Sequence, residues 1–227
     1  YLGEKFSYRR LYDLSARFAG ALQDLGIQKG DRVMIYVSNC VQWVIAFIGI
    51  QRLGAVIVPV SPIYTSHELD YMVKDSGAET LICLDTNFCY VKEVMEKTGL
   101  KRVIVTNLVD LLPPWKRCLG VLFDKIPNGK VDYSPGVYRF KSLLKHAPLK
   151  TPADIDPMRD LSYLLYTGGT TGFPKGVPGN HSGMTSYVNN VTDDVAGDRL
   201  LEGRDVYIAV NPMFHIMALG LFMSIGL

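Results

Sequence analysis

The sequence predicts an α/β fold: parallel sheet layers flanked by helices. Three observations lead there. Short β-branched runs alternate with stretches of helical periodicity across residues 8–106, the pattern of a sheet covered on both faces. Glycines stand where helices must stop, at Gly26 and Gly77. One stretch, Val41–Leu53, is apolar on almost every side, as suits a helix buried between neighbours.

Each element has its own justification. Tyr8–Leu25 puts Leu11, Leu14, Phe18, Leu22 and Leu25 on one face, which predicts an amphipathic helix ended by Gly26. Gly30-Asp31 turns the chain into strand Arg32–Val37. The apolar helix over Val41–Leu53 leads to strand Ala55–Val60. A Thr65-x-x-Glu68 capping box opens helix Ser66–Ser76, and Gly77 closes it before strand Thr80–Leu84. Val91, Val94, Met95 and Thr98 mark an amphipathic helix over Asn87–Thr98, and Arg102–Thr106 is the next strand.

From Leu111 to Pro157 the periodicity gives way to proline and glycine turns, with a short helical piece near Phe140–Leu144. This predicts a surface excursion within one domain. Asp160–Tyr166 then reads as a buried strand and Asn180–Val195 as a helix, with the phosphate-loop unit spanning 160–195. Asp205–Val210 reads as a strand opening a further sheet segment, 205–227, and Asn211–Met217 leads into a last helix.

Between the strand and the helix of that unit lies Tyr166-Thr-Gly-Gly-Thr-Thr-Gly-Phe-Pro-Lys-Gly176. Gly168, Gly169 and Gly172 lack a Cβ, so the backbone can turn through positive φ and bring N–H groups against an anion. Thr167, Thr170 and Thr171 offer hydroxyls to oxygens or to a cation. Lys175 adds a charge, and Pro174 stiffens the backbone before it. Strand, glycine-rich loop and helix together form a phosphate-binding context. The Walker loop is excluded, because Lys175 follows Phe173-Pro174 and precedes Gly176; no G-x-G-x-x-G fingerprint occurs.

This segment resembles the signature loop of the adenylate-forming superfamily, which holds acyl-CoA synthetases, luciferases and adenylation domains. Most members carry Ser where Gly169 stands, and a Gly-Gly pair is familiar among long-chain fatty-acid–CoA ligases. The opening helix, Lys29–Val33, Gly54–Val60 and Pro212-Met-Phe-His215 follow in the family's order, so the resemblance covers the whole chain. It implies that residues 1–227 are the incomplete N-terminal portion of the family's large domain. It also implies ATP, Mg²⁺ and coenzyme A as reactants, with a carboxylic acid activated as acyl-adenylate.

On that resemblance, Thr167, Gly168, Gly169, Thr170, Thr171, Gly172 and Lys175 bind the nucleotide phosphates, and Lys175 acts in catalysis. Thr167 is a candidate magnesium ligand. His215 matches a family histidine near the carboxylate and the acyl tunnel, against the plainer reading of a helix-capping histidine. The Gly-Gly pair and Phe-His-Ile lean toward a long-chain fatty acid. Aryl- or amino-acid activation in the same superfamily is one alternative; a non-catalytic nucleotide-binding or interaction module is another. The fragment alone is expected to be inactive, with an apolar face at Ile216, Leu219, Leu221 and Met223 left uncovered.

Composition bounds the rest. With 227 residues and 48% hydrophobic content, the chain can bury a sizeable core. Its 24 basic and 22 acidic residues leave +2, scattered along the chain, which argues against a nucleic-acid partner. Cys40, Cys83, Cys89 and Cys118 have neither zinc spacing nor a disulfide pattern, so reduced thiols and a cytoplasmic setting are expected. Val41–Val60 is interrupted by Gln42, Gln51-Arg52, Gly54 and Pro59, so no transmembrane segment is expected. Peripheral membrane contact and homo-oligomers stay open. The start at Tyr1 and the apolar end at Leu227 read as a piece of a longer chain.

His181 stands where the family often has Thr-His-Arg-Asn, but its context is Pro178-Gly-Asn-His-Ser182, which favours a structural role and puts the helix start in doubt. His67 and His146 are expected to face solvent. Asp193, Asp194 and Asp198 read as a solvated acidic patch.

Overall fold

The computed structural model describes residues 1–122, 126–168, 174–191 and 208–221. Helix α1 (Tyr8–Asp24) starts where the Ser7 hydroxyl accepts from the Arg10 N–H, and ends before Gly26 at φ 84°. Strand β1 (Arg32–Tyr36) runs into the almost wholly buried helix α2 (Val41–Arg52) and then strand β2 (Val56–Pro59). Helix α3 (Ser66–Ser76) opens with the Glu68 carboxylate accepting from the Thr65 N–H at 2.9 Å, and stops at left-handed Gly77. Strand β3 (Thr80–Leu84), helix α4 (Phe88–Met95) and strand β4 (Arg102–Thr106) complete the first part.

The sheet order is β5-β4-β3-β1-β2-β6-β7. Its first five strands follow the doubly wound order 2-1-3-4-5, all parallel, and β6 joins β2 with Ile57 opposite Tyr163. Pleating divides the core by residue parity. Val33, Ile35, Ile57, Ile82 and Ile104 face the layer of α1 and α2; Met34, Tyr36, Val58, Leu81, Val103 and Val105 face α3 and α4. Both faces are therefore apolar, which is why these strands read as continuous hydrophobic runs.

Residues 111–157 are more than a surface excursion. They contain helix α5 (Pro114–Leu122), edge strand β5 (Val137–Arg139) and helix α6 (Phe140–Leu143). β5 pairs with β4, and Phe140 is fully buried with its ring 4.7 Å from that of Phe18. A three-residue edge strand is too short for its periodicity to stand out in sequence.

The unit at 160–195 also differs from expectation. Strand β6 (Leu161–Thr167) is only half covered, with Ser162 and Leu165 its buried residues. After the glycine-rich loop comes a second strand, β7 (Lys175–Asn180), antiparallel to β6, rather than a helix. Helix α7 (His181–Asn190) follows β7, capped by the Asn180 side chain accepting from the Gly183 N–H at 2.8 Å, so its start is sharp. Residues 192–195 of the expected helix, with Asp193, Asp194 and Asp198, lie outside the described residues. So do 205–207 of the expected strand, and residues 208–210 are not in a strand.

Helix α8 (Ile216–Leu221) closes the described chain. Of the expected apolar face, Leu219 is fully buried and Ile216 is exposed, while the Leu221 side chain and Met223 lie outside the described residues. Helix α8 packs closely on α7, where a Cβ at Gly220 would fall 1.9 Å from the Tyr187 ring. Among the described residues no helix is long and apolar enough to cross a membrane. All four cysteines are free, Cys40 and Cys83 buried, Cys89 and Cys118 exposed.

Candidate functional site

The described residues on either side of the glycine-rich loop are the paired strands β6 and β7, so the element that follows it is a strand and not a helix N-terminus. Thr167 and Lys175 are the last register pair before the tip, and the Thr167 hydroxyl donates to the Lys175 carbonyl at 3.4 Å, a long contact. Both side chains are exposed, and the Lys175 ammonium forms no ion pair with a described residue. Gly168 is exposed, its φ is not positive, and a Cβ there would meet nothing within 4 Å. Among the described residues, then, its lack of a side chain is not needed for a positive-φ turn. Gly169, Thr170, Thr171 and Gly172 lie outside the described residues.

What fixes the hairpin was not foreseen from the motif. The Tyr166 hydroxyl donates to the Asp75 carboxylate at 2.7 Å, and lies 3.3 Å from the Met72 carbonyl, tying β6 to α3. Burial, reinforced by Asp75, pushes the Tyr166 phenol well above its ordinary range. Gln51 of α2 donates to the Ser162 hydroxyl at 2.7 Å and to its carbonyl at 3.2 Å. Beyond the tip, Gly179 lies against the Tyr163 ring, where a Cβ would come within 2.1 Å of Cζ. The strand before the loop is thus clamped on both faces of the sheet.

His215 stands immediately before α8, its carbonyl accepting from the Leu219 N–H at 2.9 Å and its N–H donating to the Pro212 carbonyl at 3.0 Å. It therefore occupies the capping position, but its side chain is exposed, with the ring 4.9 Å from that of Phe214. Asn39, between β1 and α2, grips the preceding segment. Its Nδ2 donates to the Ala209 carbonyl at 3.2 Å and the Asn211 carbonyl at 2.7 Å, while its Oδ1 accepts from the Met213 N–H at 2.9 Å. The signal that could have found Asn39 is its place, a polar side chain just past the carboxyl end of a central strand.

The structure brings Thr167 and Lys175 together as a register pair with Gly168 next to them in sequence, while His215 stands on a separate segment before α8, which packs on α7. His181 lies apart from the hairpin tip, at the base of β7. Its backbone N–H donates to the Asp160 carbonyl, its Nε2 is buried with no hydrogen-bond partner among the described residues, and burial pushes its pKa down. Beside it, Lys29 pairs with the Asp160 carboxylate at 2.6 Å, holding that carboxyl below its usual range. His146 pairs with Asp24 at 3.1 Å at the surface.

An exposed ammonium at Lys175 that pairs with no described residue, next to an exposed Gly168, suits a polyphosphate. For a divalent cation the described residues supply less. They contain no cluster of three His, Cys, Asp or Glu side chains, and Thr167 offers one hydroxyl.

Comparison with known proteins bears on the family and the fold. The chain is 35% identical over 234 residues to a long-chain-fatty-acid–CoA ligase of Salmonella typhimurium (strain LT2), covering 99% of this chain and 41% of that protein. It is 31% identical over 227 residues to a long-chain-fatty-acid–CoA ligase of Bacillus subtilis (strain 168), covering 99% and 40%. The crystal structure of a long-chain-fatty-acid–CoA ligase from Archaeoglobus fulgidus superposes with a TM-score of 0.75 at 25% identity, over 99% of this chain and 41% of that one. The chain thus spans about two-fifths of the length of the curated relatives it matches. The AMP-binding enzyme family matches residues 1–227 in full, and the fold is that of the N-terminal domain of adenylate-forming enzymes. The chain belongs to the family of AMP-binding enzymes.

Proposed function

We propose that the complete protein is an ATP-dependent fatty-acid–CoA ligase and that this chain supplies its phosphate loop and one wall of its acid site. The observation that carries the reading is the clamped β6–β7 hairpin, with Thr167 and Lys175 exposed at its tip in a sequence similar throughout to long-chain-fatty-acid–CoA ligases. A carboxylate oxygen attacks the α-phosphorus of ATP, the bond to the β-phosphate oxygen breaks, and pyrophosphate leaves; coenzyme A then displaces AMP from the acyl-adenylate.

Attack of one anion on another needs charge compensation and alignment. Lys175 neutralises phosphate oxygens. Thr167 and the backbone at Gly168 donate hydrogen bonds to them, with Thr170 and Thr171 as further donors from the tip and Gly169 and Gly172 as further glycines. Thr167 would offer one oxygen to Mg²⁺, which when bound would supply charge neutralisation at the phosphates. His215 donates to the acid's carboxylate and orients the attacking oxygen. The test is direct. The complete protein, incubated with ATP, Mg²⁺, coenzyme A and fatty acids of graded length, should form acyl-CoA and release pyrophosphate, both measured by mass spectrometry and coupled assay. Pyrophosphate release with aryl acids alone would move the assignment to another branch of the superfamily. None with any acid would favour a non-catalytic module.

A further inference from the structure

We propose that Asn39 is a positioning residue for the adenylation step, fixing the backbone that presents His215; this rests on the reading of His215 as the donor to the acid's carboxylate. Asn39 lies on the short link between β1 and α2, at the centre of the sheet between the ends of β2 and β3. Residues 208–212 belong to no strand or helix, so their backbone groups find no partner in a ladder. Asn39 supplies what a neighbouring strand would, two donors for the carbonyls of Ala209 and Asn211 and one acceptor for the Met213 N–H. Asparagine suits this role because its amide carries both capacities in one plane, as a peptide unit does.

From Met213 the constraint passes to His215 within two residues. The Met213 side chain is buried in the core shared by α1 and α2, and the His215 N–H closes a turn onto the Pro212 carbonyl. Beyond His215, α8 is anchored by Leu219 and by Gly220 against Tyr187. His215 is thus suspended between two anchors, and Asn39 is the polar one. Asn39 reaches the segment through backbone groups alone, so its removal should let the His215 backbone drift while leaving the hairpin tip untouched.

Four forms of the complete protein separate the possibilities: Asn39→Ala, Asn39→Asp, His215→Ala and the double variant Asn39→Ala/His215→Ala. Aspartate keeps an acceptor for Met213 but loses both donors to the carbonyls. Expected for Asn39→Ala and Asn39→Asp is a loss of acid-dependent pyrophosphate exchange of about 10- to 100-fold, carried in part by KM for the acid. The KM for ATP and the thiolysis of supplied acyl-adenylate should hold within about twofold. The double variant should be no slower than His215→Ala, because residues acting through one group are not additive. Amide hydrogen exchange should quicken over residues 208–217 and nowhere else.

Equal loss in both half-reactions, failure of both Asn39 variants to fold, or additive losses in the double variant would make Asn39 an ordinary structural residue and overturn the proposal. If His215→Ala itself leaves exchange unchanged, the reading beneath the proposal fails and the proposal falls with it. If His215→Ala is impaired while the Asn39 variants match wild type, the proposal alone fails.

Discussion

The Tyr166 hydroxyl donates to the Asp75 carboxylate at 2.7 Å, so the residue that opens the phosphate loop is moored to helix α3 on the opposite side of the strand from α2. Because Asp75 is exposed, the bond belongs to the weaker class. Tyr166→Phe should cost about 1 kcal/mol, lowering the melting midpoint by about 2–4 °C. It should also raise KM for ATP by loosening the loop's base. Thermal unfolding and steady-state kinetics would show both; a KM unmoved by a clear loss of stability would mean that the mooring does not reach the loop.

Lys175→Ala should lower kcat/KM for ATP by about a hundredfold, since a charge-assisted bond to the transferring phosphate oxygens contributes about 2–3 kcal/mol. It should leave the melting midpoint nearly unchanged, because the ammonium pairs with no described residue. Unchanged ATP kinetics would remove the lysine from the site.

His215→Ala should impair acid-dependent pyrophosphate exchange more than thiolysis of supplied acyl-adenylate. Its side chain is exposed, touches Phe214 and contributes little to packing, so the folded state should survive. Losses of the same size in both half-reactions would count against a role at the carboxylate.

Gly179→Ala would place a methyl group within 2.1 Å of the Tyr163 ring and 2.4 Å of its hydroxyl. Forcing that shift should cost about 1–3 kcal/mol. Tyr163→Leu in the same chain should recover much of it, a coupling that urea unfolding of the single and double variants measures. Additive costs would mean that the hairpin moves away from the ring without strain.

Acid stability should depend on His181. Burial holds its pKa below the ordinary 6.5, with Asp160 opposing and Lys29 adding to the effect. The unfolded chain therefore binds this proton more readily than the folded one. The contribution is present above about pH 6.5 and is lost as pH falls through the lower folded value. Between pH 7.5 and pH 5.5 the melting midpoint of the wild type should fall further than that of His181→Gln, and parallel curves would refute the assignment.

The elements of residues 8–106 were legible because each strand there is buried on both faces and each helix has a strong apolar stripe or a cap that can be read in order, as at Thr65 and Gly77. The phosphate loop was legible as a motif, but its setting was not. Lys175–Asn180 contains Gly176, Pro178 and Gly179, residues that argue against a strand, and it becomes one because Gly179 yields to Tyr163 and the pairing with β6 supplies the register. Asn39, Asp75 and Gln51 escaped notice for a different reason. Their roles exist only where distant segments meet, and a single side chain carries no periodicity.

The sheet order has a temporal consequence. Strands β1 to β4 can pair through connections of modest length, whereas β6 must cross the whole sheet to reach β2, placing Tyr163 beside Ile57 and closing a loop of about a hundred residues. Such long-range pairing is costly in chain entropy and is rewarded only after the central strands exist to receive it. The hairpin that bears the phosphate loop would then be among the last parts to dock during folding, so a nascent chain would acquire its α/β scaffold before it could grasp a nucleotide.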